Sequence, residues 1–257
     1  MIVDTHAHLT LKRLRGETDE VIQEAHQHGV SHIIDIGVTA RDIHRRRKVL
    51  SGYENIFFSA AVCPHEAANC TDEDIKELED TIKSSDIIAV GETGLEYHHF
   101  SDKAHRVKQA ELLDVHIALA KQYGKPVILH IRDAYDEIIP IMQKEKDVQY
   151  INHCFTGNTG NAKKLLDLGA YISFAGNLTY KNAADLHGAC TFVPLDRLLF
   201  ETDTPYLSPA PVRGEKNRPA YIEHTINFAS SLRKENQEDL IEKVFQNSCA
   251  VFNIPRG

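Results

Sequence analysis

The chain opens with the stretch Met1-Ile2-Val3-Asp4-Thr5-His6-Ala7-His8, in which a short apolar run leads directly into two histidines separated by one residue. Because alternate residues of a β-strand project to the same side, the stretch predicts a first strand with His6 and His8 together at its end. Two imidazoles on one side provide half of a metal site. The alternative is a chance pair, since the chain contains 15 histidines in 257 residues. The ends of the later strands decide between these interpretations.

The length and composition indicate one soluble domain spanning residues 1–257, a size common for α/β barrels. A net charge of -8 argues against a broad basic surface for nucleic acid, although a local patch is still compatible with it. The five cysteines contain no C-x-x-C pair, which suits reduced thiols. No leader segment and no apolar stretch of membrane-spanning length is evident. We therefore expect a cytoplasmic protein without a membrane contact.

Short apolar runs alternate with longer segments of helical period along the whole chain. The predicted strands cover residues 2–5, 32–36, 56–61, 87–90, 126–129, 148–152, 170–174 and 198–200. The clearest predicted helices cover residues 18–28, 72–83, 101–123, 158–167 and 237–252, and the Pro-rich residues 204–219 read as an extended loop. Eight strands alternating with helices indicate parallel βα units. They predict a (β/α)8 TIM-type barrel, with a doubly wound sheet as the competing fold.

Side chains that can bind metals follow the ends of five of these strands. They are His6 and His8 after the first strand, Glu92 after the fourth, His130 after the fifth, His153 after the sixth and Asp203 after the eighth. Each alone has a structural alternative: a loop carboxylate bonded to amides, a core histidine, or an aspartate capping a turn. Barrel enzymes place their chemistry at the carboxyl ends of strands. The coincidence at one topological position therefore favours a shared metal site.

Four histidines and two carboxylates are too many ligands for one tetrahedral zinc that also keeps a water. They suit two divalent ions about 3.5–4 Å apart, bridged by a carboxylate and by solvent. Asp203 is able to bind one ion and to accept the proton of the attacking water. Zn, Mg and Mn are all compatible with these ligand types, and the sequence does not choose among them.

Five longer motifs resemble the TatD family of metal-dependent deoxyribonucleases, within the amidohydrolase-like barrels. They are Val3-Asp4-Thr5-His6-Ala7-His8-Leu9, Val90-Gly91-Glu92-Thr93-Gly94-Leu95-Glu96-Tyr97, Leu129-His130-Ile131-Arg132-Asp133-Ala134, Asn152-His153-Cys154-Phe155-Thr156-Gly157 and Glu201-Thr202-Asp203-Thr204-Pro205-Tyr206. The motifs occur in order along the chain without a large insertion.

This resemblance implies a barrel that hydrolyses DNA phosphodiester bonds from a 3′ end. One metal would be held by His6, His8, Glu92 and Asp203, and the other by Glu92, His130 and His153, so that Glu92 bridges them. The implied catalytic residues are Asp203, as general base, and Glu92. The expected partner is single-stranded DNA or a frayed 3′ end, with no obligate protein partner.

Three positions depart from the family pattern. Glu96-Tyr97-His98-His99 stands where the family usually has Asp-Tyr-Tyr, Cys63-Pro64-His65 where it has His-Pro-His, and Arg218 where it has Glu. None removes a proposed ligand, and we expect all three to border the substrate cleft. They bear on substrate preference rather than on the chemistry.

His65, Arg132 and Arg213 are candidates for contacts to substrate phosphate, because they lie in loops that follow strand ends. Arg132 is equally compatible with an ion pair to Asp133 or Asp136. The basic run at residues 44–48 lies in a helix-like segment, which favours a solvated face over a nucleic-acid patch. Tyr97 and Tyr206 either stack on a base or pack loop edges.

Two other classes of protein compete with a nuclease. The first is an amidohydrolase-type enzyme acting on an amide, a lactone or a phosphoester. Several such sites use a carboxylated lysine on the fourth strand, where this chain has Glu92. The second is an inactive metal-stabilised scaffold, against which the complete ligand set argues.

Overall fold

Parallel strands and helices alternate through a computed structural model that describes residues 1–256. The strands are β1 (Ile2–Ala7), β2 (Val30–Asp35), β3 (Ile56–Ala60), β4 (Ile87–Glu96), β5 (Val127–Arg132), β6 (Tyr150–Asn152), β7 (Tyr171–Phe174) and β8 (Leu198–Phe200). The helices are α1 (Thr18–Gln27), α2 (Asp42–Leu50), α3 (Asp72–Ile82), α4 (Lys103–Tyr123), α5 (Tyr135–Lys144), α6 (Thr159–Leu166), α7 (Ala184–Phe192), α8 (Ile222–Arg233) and α9 (Gln237–Phe252). Gly257, the last residue of the predicted domain, lies outside the described range.

The eight strands form one parallel sheet in sequence order from β1 to β8. The chain beyond β8 meets the chain at the end of β1, where the His8 amide donates to the Thr204 carbonyl at 2.8 Å and the Asp203 amide donates to the His6 carbonyl at 2.9 Å. The buried Asp4 carboxylate also accepts a hydrogen bond from the Thr202 amide at 2.9 Å. These contacts produce a nearly closed, single-domain (β/α)8 barrel. The predicted fold class is therefore confirmed, and the doubly wound alternative is wrong.

Local sequence signals mark several of the helix ends. The Thr71 side chain and Asp74 form a reciprocal capping box at the start of α3, and α4 starts after Asp102, whose carboxylate accepts from the His105 amide. Gly124 ends α4 in the left-handed conformation, which glycine adopts without strain. The five predicted helices agree with the structure within two residues. The bounds of α2, α5, α7 and α8 come from the structure alone.

The barrel interior is apolar at one end and polar at the other. Side chains from β1, β2, β4, β5, β6 and β8 pack there with two phenylalanines of α9, in a cluster that includes Val3, Ile34, Ala89, Ile128, Ile151, Leu199, Phe245 and Phe252. Helix α9 thus covers the amino-terminal end of the barrel. The carboxyl ends of the strands are left open for polar side chains, as in other barrels of this type.

Within the basic run at residues 44–48, Arg46 is buried while His44, Arg45 and Lys48 are exposed, so the expected solvated face does not include Arg46. Its guanidinium binds the Asp35 carboxylate at 3.1 Å, the Asp42 carboxylate at 2.8 Å and the Ser59 carbonyl at 2.7 Å. Its position on α2 faces β2 and β3, and burial of its charge is tolerated because each guanidinium nitrogen has a hydrogen-bond partner.

No helix within residues 1–256 is both long enough and apolar enough to cross a membrane.

Candidate metal centre

His6 and His8 lie side by side at the carboxyl end of β1, with their Nε2 atoms 3.3 Å apart. Thr5 also faces the barrel interior, where its hydroxyl lies 3.3 Å from the Ser173 hydroxyl of β7. A register shift between Asp4 and Ala7 breaks the alternation of β1 and lets both Thr5 and His6 point inward. Asp203 completes this group, because its Oδ1 lies 3.5 Å from the His8 Nε2 and 3.8 Å from the His6 Nε2.

Glu92 enters the interior through an irregularity of β4. The pairing of β4 with β5 shifts register between Val90 and Thr93, and Gly91 packs so tightly that an added Cβ would lie 2.5 Å from the Ile128 Cβ. Only glycine fits at position 91. The Glu92 Oε2 atom lies 3.2 Å from the His6 Nε2 and 3.2 Å from the His153 Nε2. One carboxylate oxygen thus contacts both halves of the site.

His130 and His153 form the second half with Glu92. The His130 Nδ1 lies 3.1 Å from the His153 Nε2, and the His153 ring stacks on the His6 ring with centroids 3.9 Å apart. All six predicted ligands therefore lie together at the carboxyl end of the barrel. Their assignment as metal ligands stays a prediction.

The donor set fits divalent ions. Ligand bonds of about 2.1 Å place neighbouring donor atoms roughly 3 to 3.5 Å apart around a metal. The contacts above run from 3.1 to 3.5 Å, apart from the 3.8 Å between the His6 Nε2 and the Asp203 Oδ1. Unprotonated Nε2 atoms of His6 and His8 would direct two lone pairs at one another, an unfavourable arrangement that a shared cation relieves. The nitrogen and carboxylate donors match Zn or Mn, and the carboxylates extend the range to Mg.

The histidines and carboxylates shift each other's protonation. Burial opposes ionisation of Glu92, but the imidazoles of His6 and His153 hold its pKa well below the usual value. Burial opposes ionisation of Asp203 in the same way, and His8 and His6 hold its pKa low. Both carboxylates are therefore anionic near neutral pH, the form that binds cations.

Glu201 contributes to the site, although the sequence reasoning gave it no role of its own. Its Oε1 accepts hydrogen bonds from the His153 Nδ1 at 3.1 Å and from the Cys154 amide at 2.9 Å. Burial favours a lower pKa for His153, but the negative charge of Glu201 outweighs it and raises that pKa to about 9. The bond directs the His153 Nε2 toward Glu92, as outer carboxylates do for metal-binding histidines. The sequence signal that could have identified Glu201 was its position in the Glu201-Thr202-Asp203 motif.

A second carboxylate, Glu96, lies beside His130, whose Nε2 is 3.1 Å from the Glu96 Oε2. Burial opposes ionisation of Glu96, but hydrogen bonds from His130 and from the His99 amide lower its pKa to about 2. Glu96 therefore carries a buried negative charge next to the second half of the site. In the sequence, Glu96 stands out only as a departure from the family pattern.

A cleft of about 610 Å³ opens above these groups. His65 and Arg132 line it, as predicted for phosphate contacts, and Tyr206 stands exposed at its rim. Among residues 1–256, Arg132 makes no ion pair, because Asp133 contacts His98 and Asp136 contacts Lys164. The alternative of a paired Arg132 is therefore wrong, and its charge is free to meet an anion.

The structure places Arg213 and Arg218 away from the cleft lining. The Arg213 guanidinium lies 4.1 Å from the centre of the Tyr180 ring and is exposed. Arg218 reaches α1, where it contacts the carboxylates of Glu20 at 2.8 Å and Glu24 at 2.7 Å. The expectation that position 218 borders the cleft is therefore wrong. The other two departures do border it, through Cys63, Glu96 and His99.

Tyr97 does not line the cleft, because the Arg106 guanidinium covers its ring at 4.1 Å. Of the two tyrosines considered for base stacking, Tyr206 alone lines the cleft; it is 41% exposed, and the Arg13 guanidinium lies 5.5 Å from the centre of its ring.

The barrel and its convergent histidines and carboxylates define the class of the protein as a metal-dependent hydrolase barrel. The chain belongs to the TatD-related DNase family, which matches residues 3–253.

Several proteins are similar over nearly the full chain. The Escherichia coli (strain K12) protein YcfH, named an uncharacterized metal-dependent hydrolase, is 36% identical over 259 residues, which cover 98% of this chain and 96% of YcfH. The crystal structure of YjjV, a TatD homologue from Escherichia coli K12, superposes with a TM-score of 0.93 at 28% identity and covers 99% of this chain and 98% of YjjV. The protein of Klebsiella pneumoniae (strain 342) named 3′-5′ ssDNA/RNA exonuclease TatD is 28% identical over 259 residues, with 98% of this chain and 97% of that protein covered.

Proposed function

We propose that this protein hydrolyses phosphodiester bonds of single-stranded DNA from the 3′ end, with a binuclear metal centre. The observation that carries the proposal is the position of Glu92, whose Oε2 lies 3.2 Å from both His6 and His153. A carboxylate oxygen shared by two ligand groups is the arrangement expected of a bridging ligand. The name of the Klebsiella relative supports the choice of substrate.

The first ion is assigned to His6, His8, Glu92 and Asp203, and the second to Glu92, His130 and His153. Zn, Mg or Mn ions bound there supply Lewis-acid stabilisation of the phosphate and a water of lowered pKa. The protein's part is to hold these donors rigidly, and Glu201 does so for His153 through the Nδ1 hydrogen bond.

Asp203 is the proposed acceptor of the proton from the attacking water. Its backbone is in the left-handed region, with φ of 56°, and its amide donates to the His6 carbonyl at 2.9 Å. Asn217 fixes the same loop, because its side-chain amide donates to the Thr202 carbonyl at 2.7 Å and to the Tyr206 carbonyl. Such strained positions persist where the surroundings determine them, and they are concentrated at functional sites.

The remaining cleft residues bind the substrate in this proposal. Arg132, as an unpaired cation in the lining, contacts a phosphate, and His65 donates a hydrogen bond to it. Tyr206 offers an aromatic face at the rim for a terminal base. Arg213 reaches only the outer part of a strand that leaves the cleft.

The test is digestion of a single-stranded oligonucleotide labelled at its 5′ end, by protein supplied with Mg or Mn. Progressive shortening from the 3′ end is expected, with loss of activity on chelation. His153→Ala should be inactive, whereas the matched variant His224→Ala, outside the cleft, should retain full activity. Metal-loaded protein that leaves DNA intact but hydrolyses an amide or a lactone would overturn the proposal.

A further inference from the structure

We propose that His65, Glu96 and His99 bind a further divalent cation, next to the binuclear centre and separate from its six ligands. These side chains form a group whose donor atoms all lie within 4.8 Å of one another. The inference concerns binding of an ion by this chain and does not depend on which bond the enzyme hydrolyses.

The Glu96 carboxylate is the anchor of this site. Its Oε1 is occupied by two backbone amides, those of His98 at 2.8 Å and His99 at 3.1 Å. Its Oε2 faces three imidazole nitrogens: the His130 Nε2 at 3.1 Å, the His99 Nδ1 at 3.3 Å and the His65 Nε2 at 4.0 Å. The two amide hydrogen bonds to Oε1 therefore hold the carboxylate in place, with its Oε2 directed at a cluster of metal-binding nitrogens.

The charge of Glu96 has no permanent counterion. Its side chain is 3% exposed, and its ion-pair contacts within residues 1–256 are to histidines alone, with no lysine or arginine. A buried carboxylate without a cationic partner is costly, and binding of a metal ion is one of the few ways to offset that cost. The His130 Nε2 lies within hydrogen-bond distance of the Glu96 Oε2, while its Nδ1 is directed at His153 in the binuclear centre.

Two imidazoles and one carboxylate form a ligand set for Zn or Mn. Three protein ligands leave a coordination position free, and it would face the cleft, because His65 and His99 are 45% and 61% exposed there. The His65 Nε2 lies at the longest distance, and its exposure allows the small rotation that brings it to a shared ion.

His98 provides a matched control for His99. It is the neighbouring residue with a similar exposure, but its Nδ1 contacts the Asp133 carboxylate at 3.1 Å and lies outside the cluster. Replacement of either surface imidazole removes the same chemical group. Only the His99 replacement removes a donor from the proposed site.

The experiment measures bound Zn and Mn by mass spectrometry after metal-stripped full-length protein has been dialysed against each ion. His99→Ala and His65→Ala should each bind one equivalent fewer than the unsubstituted protein, while His98→Ala should bind the same number. Circular dichroism checks that each variant is folded. A crystal soaked in Mn should show an anomalous peak between Glu96 and His99 that disappears in His99→Ala.

Equal stoichiometry in His99→Ala, His65→Ala and His98→Ala, or a Mn-soaked crystal without a peak at Glu96, would overturn the inference. Because both readouts measure bound ions, they are independent of the hydrolysis assay. A protein that fails to cut DNA but still loses one ion in His99→Ala would refute the proposed function and leave the additional site standing.

Discussion

The buried carboxylate of Glu201 accepts a hydrogen bond from the Nδ1 of His153 over 3.1 Å, across 48 residues of sequence. The same oxygen accepts from the Cys154 amide, so the carboxylate holds both the ring and the backbone of this position. The bond orients the His153 ring so that its Nε2 is directed at Glu92, and when a metal ion binds it favours the tautomer whose Nε2 lone pair is free for the ion. The geometry of the second half of the site thus depends on a residue outside the ligand set.

Replacement Glu201→Gln should weaken metal binding by about 10- to 100-fold, because a neutral amide makes the His153 imidazole a poorer ligand. Isothermal titration of metal-free protein with Zn or Mn measures the change. Glu223→Gln is the matched control, since Glu223 contacts His28 at 3.3 Å on the exposed surface. Equal affinity in Glu201→Gln and in the unsubstituted protein would contradict the orienting role.

Asp203→Asn should largely preserve the fold and retain some metal, yet lower kcat by about 10²- to 10⁴-fold, because an amide cannot accept the proton of the attacking water. Asparagine also tolerates the left-handed conformation found at this position, so the backbone should not change. Steady-state kinetics and metal analysis on the same preparation separate the two effects. Near-normal turnover would remove Asp203 from the role of base.

The architecture and the six proposed ligands follow from local patterns, because each strand end is marked by its own residues. The contacts of Glu201 and Arg46 depend on pairings between distant elements, which periodicity does not encode. For Arg46 a partial signal was present, since Ile43, Arg46 and Leu50 share one buried face of α2. The neighbouring basic residues obscured that spacing. Nothing in the run indicated that Asp35 on β2 would be the partner of Arg46. The bend that turns Glu92 inward likewise depends on contact between β4 and β5.

Arg46→Met should lower the free energy of unfolding by about 3 to 5 kcal/mol, because it leaves the fully buried Asp35 without its cationic partner. The loss would also loosen the loop after β1, since Asp35 accepts from the Leu9 amide at 2.9 Å, one residue beyond His8. Chemical denaturation measures the change. Arg45→Met, at the exposed neighbouring position, should shift stability by about 0.5 kcal/mol or less. Similar values for the two variants would show that the buried network contributes little.

His116 should make the protein less stable in mild acid. Its ring is fully buried, its Nδ1 donates to the Leu112 carbonyl at 2.7 Å and its Nε2 accepts from the Val62 amide at 3.1 Å, so the neutral form is the one bound in the fold. Burial lowers its pKa from 6.5 to about 4. The unfolded chain therefore takes up the proton first as pH falls, and stability that is fully present above pH 6.5 is lost progressively down to about pH 4.

The loss attributable to His116 should approach about 3 kcal/mol across that window. His116→Gln keeps a donor and an acceptor but does not titrate there, so its free energy of unfolding should fall less steeply between pH 6.5 and pH 4 than that of the unsubstituted protein. Urea denaturation of both proteins at matched metal content gives the two slopes, and titrations common to both cancel in their difference. Parallel slopes would mean that His116 is protonated equally in the folded and unfolded states, against the burial and hydrogen bonding seen here.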